Sequence, residues 1–210
     1  MACRHYSHRL TTCQGTRRAG SASRTEYPSV EMGVDRELAP GEWSVLALLT
    51  EGHSHGWALA REMARDGAVG RVWAVGRPLV YRALEVLEER GLVVATGAEP
   101  GTRGPNRMLF AATDEGREAL RAWLVVPVDH VREVRSLFLL KLVLIVRAGL
   151  EPAALLVAQR ALTVPSVETL EARLGQSEGT EQVFVRFRLE TTRAVIAFID
   201  AMLAEPPTRL

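Results

Sequence analysis

The chain has 210 residues, of which 47% are hydrophobic and 24% charged, with a net charge of +1. That length suits one large domain or two modest ones with real cores, and so balanced a charge leaves any case for nucleic-acid binding to local clusters. Cys3 and Cys13 are the only cysteines, no disulfide framework and a fit to a reducing cytoplasm; the longest apolar run, Leu137 to Val146, is too short for a membrane span and contains Lys141, and the N-terminus has no apolar signal-peptide core.

Residues 1–36 are rich in Arg, Ser, Thr and Gly, with five arginines before the first acid, Glu26, and no apolar periodicity. A disordered basic tail is expected there. Such an arm can bind DNA phosphates, while Met32, just ahead of the first periodic segment, is comparably placed as a start. Cys3, His5, His8 and Cys13 match no common zinc spacing, so no metal and no cofactor are expected.

The first helix begins at Pro40, buries Trp43, Leu46 and Ala47, and ends near Glu51-Gly52. Ser54 then caps a second helix, His55 to about Asp66, with Leu59 and Met63 inward. A third helix opens at Arg77. Its residues Val80, Ala83, Leu84 and Leu87 recur at spacings of three and four, so one stripe faces a core while Arg77, Tyr81, Arg82 and Glu85 lie on another face. Pro78 suits the first turn and Gly91 the left-handed residue that ends the helix. A short helix with a basic, aromatic N-terminal half is what a DNA major groove accepts.

Leu92 to Thr96 and Arg107 to Ala112 are short apolar runs flanking a Gly/Pro-rich connection, the pattern of a hairpin. Its tip carries Thr102, Arg103, Asn106 and Arg107, which can reach phosphates or a minor groove. Three short helices followed by such a hairpin read as a winged helix-turn-helix, over residues 37–126. The expected DNA-binding residues are Arg77, Pro78, Tyr81, Arg82, Thr102, Arg103, Asn106 and Arg107.

Thr113-Asp114-Glu115-Gly116 opens a fourth helix with a good N-cap and acids in its first turn, continuing through Leu120, Trp123 and Leu124 to Pro127. Residues 127–205 read as an all-helical dimerisation domain, followed by a tail over 206–210. One helix spans His130 to Ala148, and from Leu137 to Val146 it is apolar around almost its whole circumference, which implies burial on several sides. Another starts at Pro152 and is kinked or divided at Pro165. The last, Glu181 to about Glu205, carries Phe184, Phe187, Thr191, Ala194, Val195, Phe198 and Met202 on one stripe and Leu189, Ile196, Ile199 and Leu203 on a second, so that one can pack internally and the other on a partner. The expected dimer interface comprises Phe138, Leu142, Ile145, Phe184, Phe187, Val195, Phe198 and Met202.

Over roughly residues 40–205 the chain resembles the PadR family of transcriptional regulators. The resemblance is carried by Leu46-Ala47-Leu48-Leu49 with His53-Ser54-His55-Gly56-Trp57, by Tyr81-Arg82-Ala83-Leu84 with Leu87-Glu88-Glu89-Arg90-Gly91-Leu92, and by Gly104 to Arg107 followed by Thr113-Asp114-Glu115-Gly116. Arg135-Ser136-Leu137-Phe138-Leu139-Leu140-Lys141-Leu142 resembles the start of the longer C-terminal domain of some members. The resemblance implies a homodimer on an inverted-repeat operator in double-stranded DNA, and a cytoplasmic, nucleoid-associated repressor released by a small hydrophobic or aromatic effector. For that effector, Trp57, Trp73 and Trp123 are the expected pocket. The sequence departs from the family in its second wing strand, where Met108, Leu109, Phe110, Ala111 and Ala112 stand in place of basic and tyrosine residues, so fewer phosphate contacts are expected from it.

A winged helix used only for protein interaction or dimerisation is the alternative, which Glu85, Glu88 and Glu89 favour and Arg77 and Arg82 oppose. An enzyme is not expected: His53, His55 and Asp66 form the one nearby polar cluster, and no Gly-rich phosphate loop, nucleophile elbow or metal-ligand spacing occurs.

Overall fold

In the computed structural model, residues 36–100 and 106–206 are described. Helix α1 (Pro40–Thr50) is buried from Glu42 to Leu49, as its all-round apolar sequence requires. Its start lacks a capping side chain at Ala39, and Glu42 substitutes by accepting from the Ala39 N–H at 2.7 Å while pairing with Arg36 at 2.6 Å.

The second helix, α2 (Gly56–Glu62), is shorter than expected and is capped by His55 rather than Ser54, with His55 Nδ1 accepting from the Ala58 N–H at 3.1 Å. Ser54 is extended because Ser54 and His55 form a two-residue strand, β1, paired with Phe110 and Leu109. The helix stops at Glu62 because turn donors take its carbonyls: Gly70 N–H reaches Glu62 O at 3.1 Å. Helix α3 (Arg77–Glu89) buries Val80, Ala83, Leu84, Val86 and Leu87, the expected stripe, and packs on α1 and α2.

Strands β2 (Val93–Glu99) and β3 (Arg107–Ala112) form the hairpin, and the antiparallel sheet has the order β1-β3-β2. A bulge between Ala95 and Gly97 shifts the register from Ala95 opposite Phe110 to Gly97 opposite Leu109. Thr113 caps α4 (Asp114–Leu124) by accepting from the Gly116 N–H at 3.0 Å, and its hydroxyl donates to Gly91 O at 2.8 Å. Only glycine fits at 116, since a Cβ would lie 2.1 Å from Leu92 O. The Thr-Asp-Glu-Gly stretch therefore locks the start of α4 to the end of α3.

Beyond α4 the expected single helix over 130–148 is three pieces: a 3-10 turn (Val131–Glu133), a π-helical turn (Val134–Phe138) and α5 (Leu139–Arg147). Helix α6 (Ala153–Leu174) runs through Pro165 undivided, and α7 (Gly179–Ala204) packs back along it. Burial of α5 on several sides is met by the chain itself. Phe138, Leu142 and Ile145 are in one continuous core with Leu46, Leu84 and Ile199, and that core crosses residue 127 without a break.

Of the residues expected at a dimer interface, Phe138, Leu142, Ile145 and Val195 are thus covered within a single chain, and Met202 is half-buried against the same core. Phe184, Phe187 and Phe198 are exposed at 65%, 71% and 38%. Val157 and Leu162 of α6 are exposed as well. Among the described residues no helix is long and apolar enough to cross a membrane.

Candidate nucleic-acid interface

Helix α3 presents Arg77, Pro78, Leu79, Tyr81, Arg82, Glu85, Glu88 and Glu89 to solvent. The arginines sit in its first half and the acids in its second, and no acid lies in its first turn. The helix dipole adds partial positive charge to the same end. Positive potential is therefore concentrated where a helix enters a groove N-terminus first.

Tyr81 does not stand free. A Cβ at Gly56 would fall 2.7 Å from Tyr81 Cε1, so glycine at 56 lets the tyrosine ring close against the first turn of α2. The Arg77 guanidinium lies 5.7 Å from the ring centre on the exposed side. Tyr81, 41% exposed, consequently serves as a platform that directs Arg77 as well as a polar tip at the surface. Arg82 is exposed and has no ion-pair partner among the described residues.

Between α3, the start of α2 and the wing is a notch of about 500 Å³ lined by residues that include Arg77, Tyr81, Glu85, Trp57, Asn106 and Arg107. Trp57 organises its wing side, with the Arg61 and Arg107 guanidiniums each 5.2 Å from its ring centre. His55 completes this side. Since its Nδ1 accepts the capping hydrogen bond, the neutral ring carries its proton on Nε2, which faces Glu99 Oε2 at 3.9 Å. Arg107 Nη1 lies 3.4 Å from the same nitrogen, a contact between two donors and not a hydrogen bond. Arg107 is held over α2 mainly by stacking.

The structure thus brings Arg77, Tyr81, Asn106 and Arg107 to one notch, with Pro78 and Arg82 on the adjoining surface of α3. Thr102 and Arg103 lie outside the described residues. Trp57, expected in an effector pocket, lines this notch, whereas Trp123 stacks on Trp43 with ring centres 4.9 Å apart and Trp73 packs against the main core. The sequence reading passed over Arg61 and gave Trp57 no part in the wing. Their signal was present in the four-residue spacing of Trp57 and Arg61 on one helix, but the third member, Arg107, comes from a distant strand.

A recognition-type helix and a β-hairpin wing on a three-helix core, extended by four further α-helices, define a winged helix-turn-helix fold. Residues 45–122 match the model of the transcriptional regulator PadR-like family, and that segment is PadR-like. The chain is 32% identical over 93 residues to a probable transcriptional regulator, Rv1176c, of Mycobacterium tuberculosis, a match covering 44% of this chain and 48% of the relative. It therefore spans about half the length of that relative. Among solved structures, Bacillus subtilis PadR in complex with operator DNA is similar at 17% identity and a TM-score of 0.40, over 78% of this chain and 97% of that one. The smu.1604c protein of Streptococcus mutans UA159 is similar at 15% identity and a TM-score of 0.38, over 79% and 99%.

Proposed function

We propose that this protein is a homodimeric, sequence-specific DNA-binding regulator, a repressor whose hold on its operator is released by a small effector. The observation that carries the proposal is the placement of Arg77 and Arg82 on the exposed first half of α3, beside a wing whose Arg107 is stacked on Trp57, within a PadR-like segment. The first half of α3 enters the major groove; Arg82, with no carboxylate to compete for it, reads base edges. Arg107 and Asn106 contact backbone or the adjacent minor groove. A second copy seats on the exposed apolar face of α6 and α7, where Phe184, Phe187 and Val157 otherwise meet water, and the resulting two-fold axis calls for an inverted repeat.

The test is fluorescence anisotropy with an inverted-repeat duplex from upstream of the protein's own gene and a scrambled duplex, across a salt series. Arg82→Ala should weaken the operator by about 1–3 kcal/mol and leave the scrambled duplex unchanged. Arg107→Ala should weaken both duplexes alike and reduce the salt slope by about one. Equal losses on both duplexes for Arg82→Ala would remove its base-reading role. A wild-type protein that binds neither duplex would be a winged-helix interaction module, as Glu85 and Glu88 on the same notch would favour.

A further inference from the structure

Trp57, in the first turn of α2, is 40% exposed and has the guanidiniums of Arg61 and Arg107 each 5.2 Å from its ring centre. Arg61 is there because it follows Trp57 by one helical turn on the same face of α2. Arg107 is there because of the β1-β3 register: with His55 opposite Leu109, two further residues along each chain bring Trp57 and Arg107 together. Neither cation has a carboxylate partner among the described residues. Glu99, the cross-strand neighbour of Arg107, faces His55 Nε2 instead, and Glu62, next to Arg61, pairs with Arg147.

We propose that Arg61, Trp57 and Arg107 form a clamp for backbone phosphates of DNA, in which Arg61 is a phosphate ligand and Trp57 the residue that positions both cations. The inference rests on the DNA-binding reading above for its ligand. Two guanidiniums on one indole are no more than twice 5.2 Å apart, and like charges that close repel each other. With no carboxylate between them, an anion from outside is what neutralises the pair. Contact with a ring takes up no acceptor, so the forked N–H donors of both arginines stay free for phosphate oxygens. Indole is also the ring that holds a cation best, and side chains restrained beforehand lose less rotamer freedom on binding. A regular row of phosphates along one DNA strand is the polyanion that two cations fixed to one ring can follow.

The position suits a strand that borders the groove entered by α3. Trp57 and Arg107 line the notch beside Arg77 and Asn106, whereas Arg61 does not, so the positive surface continues from the recognition helix past the indole onto α2. The base of the clamp is held in place, since His55 caps α2 through Nδ1 and its ring centre lies 6.2 Å from that of Trp57. A phosphate carries no sequence information. The clamp therefore sets how α3 sits in the groove and leaves the choice of bases to α3 itself.

Fluorescence anisotropy of the full chain on the operator and scrambled duplexes, across a salt series, tests the clamp. Arg61→Ala should weaken both duplexes alike, by about three- to tenfold, and reduce the salt slope by about one; Arg61→Lys, which keeps the charge, should restore the slope. Trp57→Leu leaves both arginines in the chain and should still weaken both duplexes, and in that background Arg61→Ala should cost less than about twofold, the mark of two residues acting together. Arg61 and Trp57 are exposed, so the variants should fold, which circular dichroism and urea midpoints check. Where wild type binds both duplexes, an unchanged salt slope in Arg61→Ala would overturn the clamp and leave the DNA-binding reading standing; a lowered urea midpoint beside that unchanged slope would reduce the three residues to a staple between wing and α2. Equal losses for Arg61→Ala in the wild-type and Trp57→Leu backgrounds would overturn the positioning role of Trp57. A wild type that binds neither duplex would overturn the DNA-binding reading, and the clamp with it.

Discussion

Lys141, the only lysine of the chain, is 2% exposed, and its titration gives a direct measure of how α4 is joined to α5. Its Nζ donates to Trp123 O at 2.8 Å and Val126 O at 2.7 Å and lies 4.4 Å from the Trp123 ring centre. Desolvation lowers its pKa from 10.5 to about 8, against a smaller opposing pull from Glu37. Deprotonation is tolerated because a neutral amine retains two N–H groups for its two carbonyl acceptors.

The unfolded chain keeps the ordinary lysine pKa and so binds the proton more tightly than the fold does. Below about pH 8 both states are charged and this group gives stability no pH dependence; between about 8 and 10.5 the unfolded state holds more protons, and stability rises with pH. A shift of this size corresponds to about 3 kcal/mol. Lys141→Met, similar in length and uncharged, removes the term. Urea denaturation of both proteins at equal concentration from pH 7 to 10.5 isolates it, since tyrosine and arginine titrations cancel in the difference. Wild type should gain about 3 kcal/mol on the variant across that interval. A difference that stays flat to pH 10.5 would refute the buried-ammonium account.

Gly56→Ala should force the Tyr81 ring off α2, costing about 1–3 kcal/mol in thermal unfolding, and Tyr81→Ala in the same chain should recover most of it. Gln159→Leu leaves both the Val128 N–H and carbonyl without their partner and should cost about 2–4 kcal/mol by urea titration. Phe184→Ser with Phe187→Ser should convert the proposed dimer to a monomer in sedimentation while preserving helical content, because both rings are exposed in the single chain.

Elements whose signals are local were legible in the sequence. The α3 stripe, Pro78 in its first turn, Gly91 at its end and the Thr113 cap each depend on residues within one or two turns, and the structure has them all. What the sequence could not supply were partners from far along the chain. Strand β1 exists only because Phe110 and Leu109 pair with Ser54 and His55, and that pairing displaced the expected cap of α2. The apolar circumference of α5 correctly signalled burial on several sides, but periodicity cannot say whether the covering surface is the same chain or another. Likewise four tryptophans are conspicuous in a sequence, yet Trp43 and Trp123 meet each other while Trp57 meets two arginines.

Three polar ties sit where the winged helix meets the C-terminal helices. Arg147 at the end of α5 pairs with Glu51 through two nitrogens at 2.6 and 3.0 Å and with Glu62 at 3.0 Å, holding the ends of α1 and α2. Lys141 holds the end of α4, and Gln159 holds the segment after it. With a core that continues from Leu38 to Ile199, these ties leave little freedom for the two halves to swing independently. Close-packed interiors respond to a push by small rigid shifts of whole helices, not by bending. In the proposed dimer, a shift of the C-terminal helices would therefore act on α3 through α4 and α1, changing the distance between the two recognition helices. A displacement of an ångström or two is enough to spoil their register on successive major grooves while each α3 keeps its own fold and its own arginines.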